Sequence, residues 1–273
     1  MSLPPNSPLD SLPQPDAAPA LPATIAPAPG ENPAWGLLDV LLIAVFGVIA
    51  MFFLTAIGFV VMHFIPGLRH MDVAQLSQEP LVVLPPQTLA YVATLFFMML
   101  VVRRESFEPF WDAVNWRWPA NVLPFILGGL VLSLSIQLGS AYLPIPKSLP
   151  IDQFFKTTRA AWLLAVFGIF IAPFFEELFF RGFFYPALYR RMGLFAAVVV
   201  NSLVFALFHE GQLAHAWAPL LVLFIVGCVL TLVRAKSGSV ACSFVVHAAY
   251  NAFLFGSIFV VTGGFRHMEK LTA

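Results

Sequence analysis

Two carboxylates and a guanidinium lie in the segment EELFFR, Glu176–Arg181, inside a stretch of chain that is otherwise apolar. The surrounding residues, 160–188, are long and apolar enough to form a membrane span. Each charged side chain near the middle of a bilayer costs roughly 2.5–3.5 kcal/mol, so such residues persist only where they are paired or face a polar cavity. The segment Glu176–Arg181 is therefore the first candidate for a functional site.

The spacing within EELFFR places its two acids on different faces of a helix. Glu177 and Arg181 are four residues apart, so on a helix they share a face and can form an ion pair. Glu176 is rotated by about 100° from Glu177 and has apolar neighbours on its own face. A carboxylate in apolar surroundings holds a proton more tightly than one in water, which suits a general base. We predict that Glu176 is catalytic and that Glu177 and Arg181 support the site. The alternative is that the whole cluster is a buried set of ion pairs that only holds the membrane spans together.

Two further polar motifs occur in apolar runs towards the end of the chain. The first, FALFH, ends at His209, and the second, HAAYN, contains His247 and Asn251 on one helical face. An imidazole can activate water, and His and Asn side chains can donate hydrogen bonds to a developing oxyanion. Each motif alone is explained as well by hydrogen bonds between helices. Because all these groups fall in the last part of the chain, together they predict one site.

The same residues leave the question of a metal open. Glu176, His209 and His247 offer a carboxylate and two imidazoles, a donor set that suits zinc, although a metal-independent mechanism is equally compatible with them. The soluble zinc-protease motif HExxH is not present, because HEGQL has Leu213 where the second histidine is required. The sequence also lacks the G-x-S-x-G pattern of a serine nucleophile, which argues against serine catalysis.

Composition places the chain in a membrane. Hydrophobic residues make up 60% of the 273 residues and charged residues only 10%, against roughly 25% charged in soluble domains. The formal net charge is zero, so no basic surface for nucleic acid is expected. We predict a multi-pass integral protein of the cell membrane whose partners are the lipid bilayer and a peptide or protein.

Hydropathy divides the chain into three parts. A disordered tail rich in Pro and Ala is predicted for residues 1–33, N-terminal spans with an interfacial segment for residues 34–158, and a catalytic membrane core for residues 159–273. Apolar runs of helical length are expected at about Trp35–Phe64, Val83–Val102, Val122–Leu143, Ala160–Leu188, Leu194–Phe208, Trp217–Val233 and Val240–Val261. The fourth run is long and contains Pro173, where it is expected to kink or divide.

Taken together, EExxxR, FxxxH and HxxxN resemble the motifs of the CPBP family, the CAAX-protease and bacteriocin-processing membrane proteins. All three occur in order between Ala160 and Phe255. The resemblance implies an all-α, polytopic transmembrane bundle of about 7–8 spans around a membrane-embedded polar cavity. It further implies that Glu176 and His209 activate a water that attacks a peptide carbonyl, while His247 and Asn251 stabilise the oxyanion.

The function expected from the resemblance is that of an intramembrane endopeptidase similar to the CAAX proteases. Its substrate would be a peptide or protein, with or without a prenyl group. The alternative is a non-enzymatic immunity or scaffold protein of the same fold, in which the polar cluster only holds the spans together. A transporter would be favoured by internal repeats, and none is visible in the sequence.

Overall fold

A computed structural model describes residues 33–65, 70–146, 149–155, 157–213 and 215–267. The predicted disordered tail, residues 1–33, lies outside the described residues except for Pro33, whose carbonyl oxygen accepts a hydrogen bond from Arg190 Nη1 at 2.6 Å. No strand occurs in the described ranges, and helices dominate them. The helices are α1 Leu37–His63, α2 Val73–Leu76, α3 Pro80–Glu105, α4 Phe110–Ala113, α5 Leu123–Ser140, α6 Thr158–Val166, α7 Ala172–Glu177, α8 Tyr185–Leu207, α9 Trp217–Ser237 and α10 Val240–Val261.

Long apolar helices account for most of the fold. In the described part of the chain, six helical stretches are long and apolar enough to cross a membrane. They pack in pairs, with α1 on α3, α5 on α10 and α8 on α9. The predicted all-α, polytopic bundle is thereby confirmed. The fourth and fifth predicted runs both lie in one of these stretches, Thr158–Leu207, of 50 residues.

This 50-residue stretch is interrupted at Gly193. At 1.5 Å per residue it would be about 75 Å long, far more than the roughly 30 Å of a hydrocarbon core. Gly193 has φ 73° and ψ 179°, which ends the helical path between Met192 and Leu194. Glycine suits this position because the absence of a Cβ removes the steric penalty of positive φ. The chain does not divide at Pro173, and the break at Gly193 falls between the fourth and fifth predicted runs.

Two π-helical segments replace the expected break at Pro173. They cover Phe167–Ile171 and Leu178–Phe184, on either side of α7. Pro173 is the second residue of α7 and directly follows the turn in which Ala172 N–H bonds to Phe167 O. A π-helical turn holds an extra residue, so the chain passes the proline without leaving a helical path. Such segments often occur at functional sites, and these two flank Glu176 and Glu177.

The pair α5 and α10 depends on close backbone contact at Gly129. A Cβ built at Gly129 would lie 2.5 Å from Val246 O and 2.7 Å from Ala249 Cβ, whereas one built at the neighbouring Gly128 would meet nothing within 4 Å. Small residues of this kind allow membrane helices to approach closely. Gly129 therefore sets the position of α10 and, with it, of His247.

Gly129→Ala is expected to destabilise the protein by about 1–3 kcal/mol, because the added methyl group forces α5 away from α10. Thermal unfolding in detergent measures the loss. Gly128→Ala is the matched control, since it makes the same chemical change on the open side of the same helix. Equal unfolding temperatures for the two variants would contradict the packing argument.

Candidate active site

Glu177 forms the most buried part of the site. Its side chain is fully buried, and Oε1 accepts hydrogen bonds from Arg181 Nη1 and from His247 Nδ1, each at 2.9 Å. Arg181 is also fully buried and donates from Nη2 to Gly227 O at 3.1 Å. The guanidinium further lies 4.7 Å from the ring centroid of Phe205. The ion pair expected from the four-residue spacing is present, and it also fixes α10 through His247.

The hydrogen-bond partners of the two histidines determine their tautomers. A carboxylate and a backbone carbonyl can only accept, so the ring nitrogen that faces them must carry the proton. His247 Nδ1 faces Glu177 Oε1, and His209 Nδ1 faces Phe205 O at 2.8 Å. In the neutral form of each ring, Nε2 is then the atom with a free lone pair.

Glu176 lies between these two Nε2 atoms. Its Oε1 is 3.8 Å from His209 Nε2, and its Oε2 is 3.8 Å from His247 Nε2. The three residues come from α7, α10 and the turn after α8, so the fold brings together groups that are far apart in sequence. Both distances are too long for a direct hydrogen bond, but they suit a bridging water molecule. The arrangement can hold a water molecule beside a carboxylate base.

The carboxylate of Glu176 faces a cavity. The side chain of Glu176 is 18% exposed and that of His209 is 19% exposed, whereas Glu177 is 0% exposed. The cavity has a volume of about 610 Å³, within the usual range for ligand sites. Glu176 and His209 line one side, and apolar residues of α1 and α3 line the other. Of the two adjacent acids, Glu176 is therefore the one that a substrate can reach.

Comparisons with known proteins give a family model and a relative that match this chain. A family model described as Type II CAAX prenyl endopeptidase Rce1-like matches residues 158–253. The chain is 31% identical over 249 residues to the uncharacterised protein YyaK of Bacillus subtilis (strain 168), covering 84% of this chain and 80% of that protein. The chain belongs to the CPBP family. No solved structure matches it.

Membership of the CPBP family and the long apolar helices both place the site inside a membrane protein. The chain is a multi-pass integral membrane protein, and the matching Rce1-like family is a protease family. The matched residues begin at the start of α6 and end within α10, so they contain Glu176, His209 and His247. The similarity to YyaK extends over most of the chain.

Asn251 lies one turn beyond His247 on α10, but it contacts a different part of the CPBP site. Its Nδ2 donates to Gly168 O at 2.6 Å, in the first π-helical segment. The contact joins α10 to the long helix about two turns before Glu176. An oxyanion role for Asn251 would need its second amide hydrogen, and one for His247 would need a protonated Nε2. That role remains a prediction.

The residues as placed do not fit a metal centre with three protein ligands. Glu176, His209 and His247 have suitable donor atoms, with both Nε2 lone pairs directed towards one carboxylate. Nevertheless, within the described ranges no group of three or more His, Cys, Asp or Glu side chains is arranged to hold a metal ion. We therefore derive no chemical step through a metal, and metal dependence is left to experiment.

Sequence patterns missed the α3 side of the cavity. Gln87 and Tyr91 lie on the cavity wall, and Gln87 Nε2 donates to Tyr91 Oη at 3.1 Å. They belong to the predicted N-terminal spans, which carry few ionisable groups. A signal was available, since two polar residues four apart in an apolar span share a helical face, as His247 and Asn251 do.

Proposed function

We propose that the chain is an intramembrane endopeptidase that hydrolyses a peptide bond with a water molecule held by Glu176, His209 and His247. The observation that carries the proposal is the position of Glu176, with each carboxylate oxygen 3.8 Å from the Nε2 of one histidine. The protease family matched by residues 158–253 supports the same reaction class.

The reaction begins with the water molecule. Glu176 takes one proton while an Nε2 lone pair of His209 or His247 accepts a hydrogen bond from the other, so the water oxygen can attack the carbonyl carbon. A C–O bond forms, and the carbonyl electrons move to oxygen as an oxyanion. When the C–N bond breaks, the protonated Glu176 gives its proton to the leaving nitrogen. The products are a carboxylic acid and an amine, and Glu176 is again a carboxylate.

Glu177 and Arg181 support this chemistry indirectly in the proposal. By accepting from His247 Nδ1, Glu177 keeps the Nε2 lone pair directed towards Glu176. Outer hydrogen bonds of this kind fix the orientation and tautomer of an imidazole. Arg181 balances the buried charge of Glu177.

The substrate is proposed to be a peptide whose cleaved bond lies beside an apolar group. The lining of the cavity that contains Glu176 includes Val48, Phe52 and Met98, which favour an apolar ligand. The description of the matching family, a prenyl endopeptidase, is compatible with a prenylated cysteine in that position. We expect a prenylated peptide to be cleaved faster than the same peptide without the prenyl group.

Purified protein reconstituted in lipid vesicles tests the proposal. Matched peptides ending in a CAAX sequence, one prenylated and one not, are incubated with it, and products are identified by mass spectrometry. Cleavage is expected, and treatment with a chelator then separates the two mechanisms. Persistence of cleavage supports the metal-independent mechanism, and loss of cleavage with recovery on adding zinc assigns Glu176, His209 and His247 as ligands.

A further inference from the structure

Oxyanion stabilisation needs hydrogen-bond donors, and the residues around Glu176 supply few. In the neutral state of the site, both histidines present an Nε2 lone pair, and Asn251 donates one of its two Nδ2 hydrogens to Gly168 O. A lone pair repels an oxyanion. Preorganised donors commonly provide a large share of the rate enhancement in acyl transfer, so a further donor is expected in the cavity.

We propose that Tyr91 is this donor, a catalytic residue whose phenol hydrogen bonds to the oxyanion of the tetrahedral intermediate. The inference rests on the proposed endopeptidase function and deepens it, because it brings α3 into the catalytic machinery. Tyr91 lies in the same cavity as Glu176 and His209.

Ring packing holds Tyr91 beside the catalytic segment. Its ring stacks on Phe175, the residue before Glu176, with centroids 4.9 Å apart and planes at 30°. It also stacks on Phe167 of the first π-helical segment at 6.1 Å. Contacts on one ring from residues on both sides of Pro173 leave the phenol little freedom to turn away from the site.

Gln87 determines the direction of the Tyr91 hydrogen bond. Gln87 Nε2 donates to Tyr91 Oη at 3.1 Å, so the phenol oxygen is an acceptor from its own helix and its hydrogen is available to another group. The neighbouring hydroxyl on the same wall cannot serve in this way, because Thr94 Oγ1 donates to Ala90 O at 2.7 Å. Gln87 is thus a positioning residue for Tyr91.

Tyr91→Phe tests the proposal, since it keeps the stacked ring and removes only the oxygen. In vesicles, kcat for the peptide is expected to fall about 100-fold, the usual effect of losing one oxyanion donor, with KM within about twofold of wild type. A phosphonamidate peptide, which carries an oxyanion in place of the carbonyl, is expected to bind about 100-fold more weakly. In a Glu176→Gln background, which cannot cleave, the affinity for the peptide substrate is expected to be the same with Tyr91 as with Phe at position 91.

Two further variants complete the test. Tyr142→Phe makes the same chemical change at an exposed site outside the cavity and is expected to leave kcat unchanged. Gln87→Leu is expected to lower kcat by about 3- to 10-fold without changing KM, because it removes the hydrogen bond that orients the Tyr91 phenol. This variant replaces Tyr91→Phe in the test if Tyr91→Phe does not fold. A kcat near that of wild type in Tyr91→Phe, or in Gln87→Leu where Tyr91→Phe does not fold, would overturn the assignment, while cleavage by the wild-type protein would keep the proposed function standing.

Discussion

Glu176→Gln is expected to abolish peptide cleavage, with kcat reduced by about 10³-fold or more. Gln has nearly the same shape as Glu but cannot take a proton from water, so the variant loses the general base without leaving a hole. The Glu176 side chain is 18% exposed to the cavity, so we expect the unfolding temperature to change little. Turnover of the reconstituted variant and its thermal unfolding, measured on the same sample, check both parts.

Glu210→Gln provides the matched control for this change. Glu210 is next to His209 in sequence, but its side chain is 44% exposed and pairs with His215 on the turn after α8. Turnover is expected to remain at the wild-type level. If Glu176→Gln cleaved as fast as wild type, the catalytic assignment would be lost. A wild-type protein without turnover, combined with a Glu176→Gln variant that unfolds at lower temperature, would favour the scaffold alternative.

Arg181→Met is expected to cost about 3–5 kcal/mol of folding stability, the largest structural effect that we predict. The substitution leaves the carboxylate of Glu177, which is 0% exposed, without its charged partner in an apolar interior. It also removes the donor to Gly227 O on α9. Equilibrium unfolding in a mixed detergent, followed by tryptophan fluorescence, measures the loss.

Two comparisons separate the buried charge from the lost side chain. Arg104→Met removes an arginine that also forms ion pairs, with Asp39 and Glu105, but is 62% exposed; the cost there is expected to stay below about 1 kcal/mol. The double variant Glu177→Gln with Arg181→Met is expected to recover much of the stability, since no charge is left buried and Gln can still accept from His247. A single Arg181→Met variant as stable as Arg104→Met would contradict the analysis.

Local spacing was sufficient to predict the ion pair of the site. The ion pair of Glu177 and Arg181 follows from a four-residue separation on one helix, a relation that does not depend on the rest of the fold. The distinction between Glu176 and Glu177 likewise follows from their 100° rotation. The structure adds that this rotation directs one acid to the cavity and buries the other.

Other features depend on long-range contacts that no spacing encodes. A helical period assumes 3.6 residues per turn, so it could not anticipate the π-helical segments beside α7. Pro173 was expected to kink or divide the fourth run because proline lacks an N–H, but the chain stays helical there and leaves the helical path only at Gly193, where φ is positive. The approach of Tyr91 to the catalytic segment depends on how α3 packs against the long helix, which periodicity along α3 alone cannot predict.

The cavity beside Glu176 is built from two separate stretches of the chain, and this separation bears on how the protein can evolve. The base and histidines belong to residues 176–247, whereas the facing apolar wall comes from α1 and α3. A substitution on α1, such as one that enlarges Ala44 or shortens Phe52, would change the shape offered to a substrate without moving the reacting groups. Selection can therefore alter which ligand fits the cavity without displacing Glu176 or the histidines.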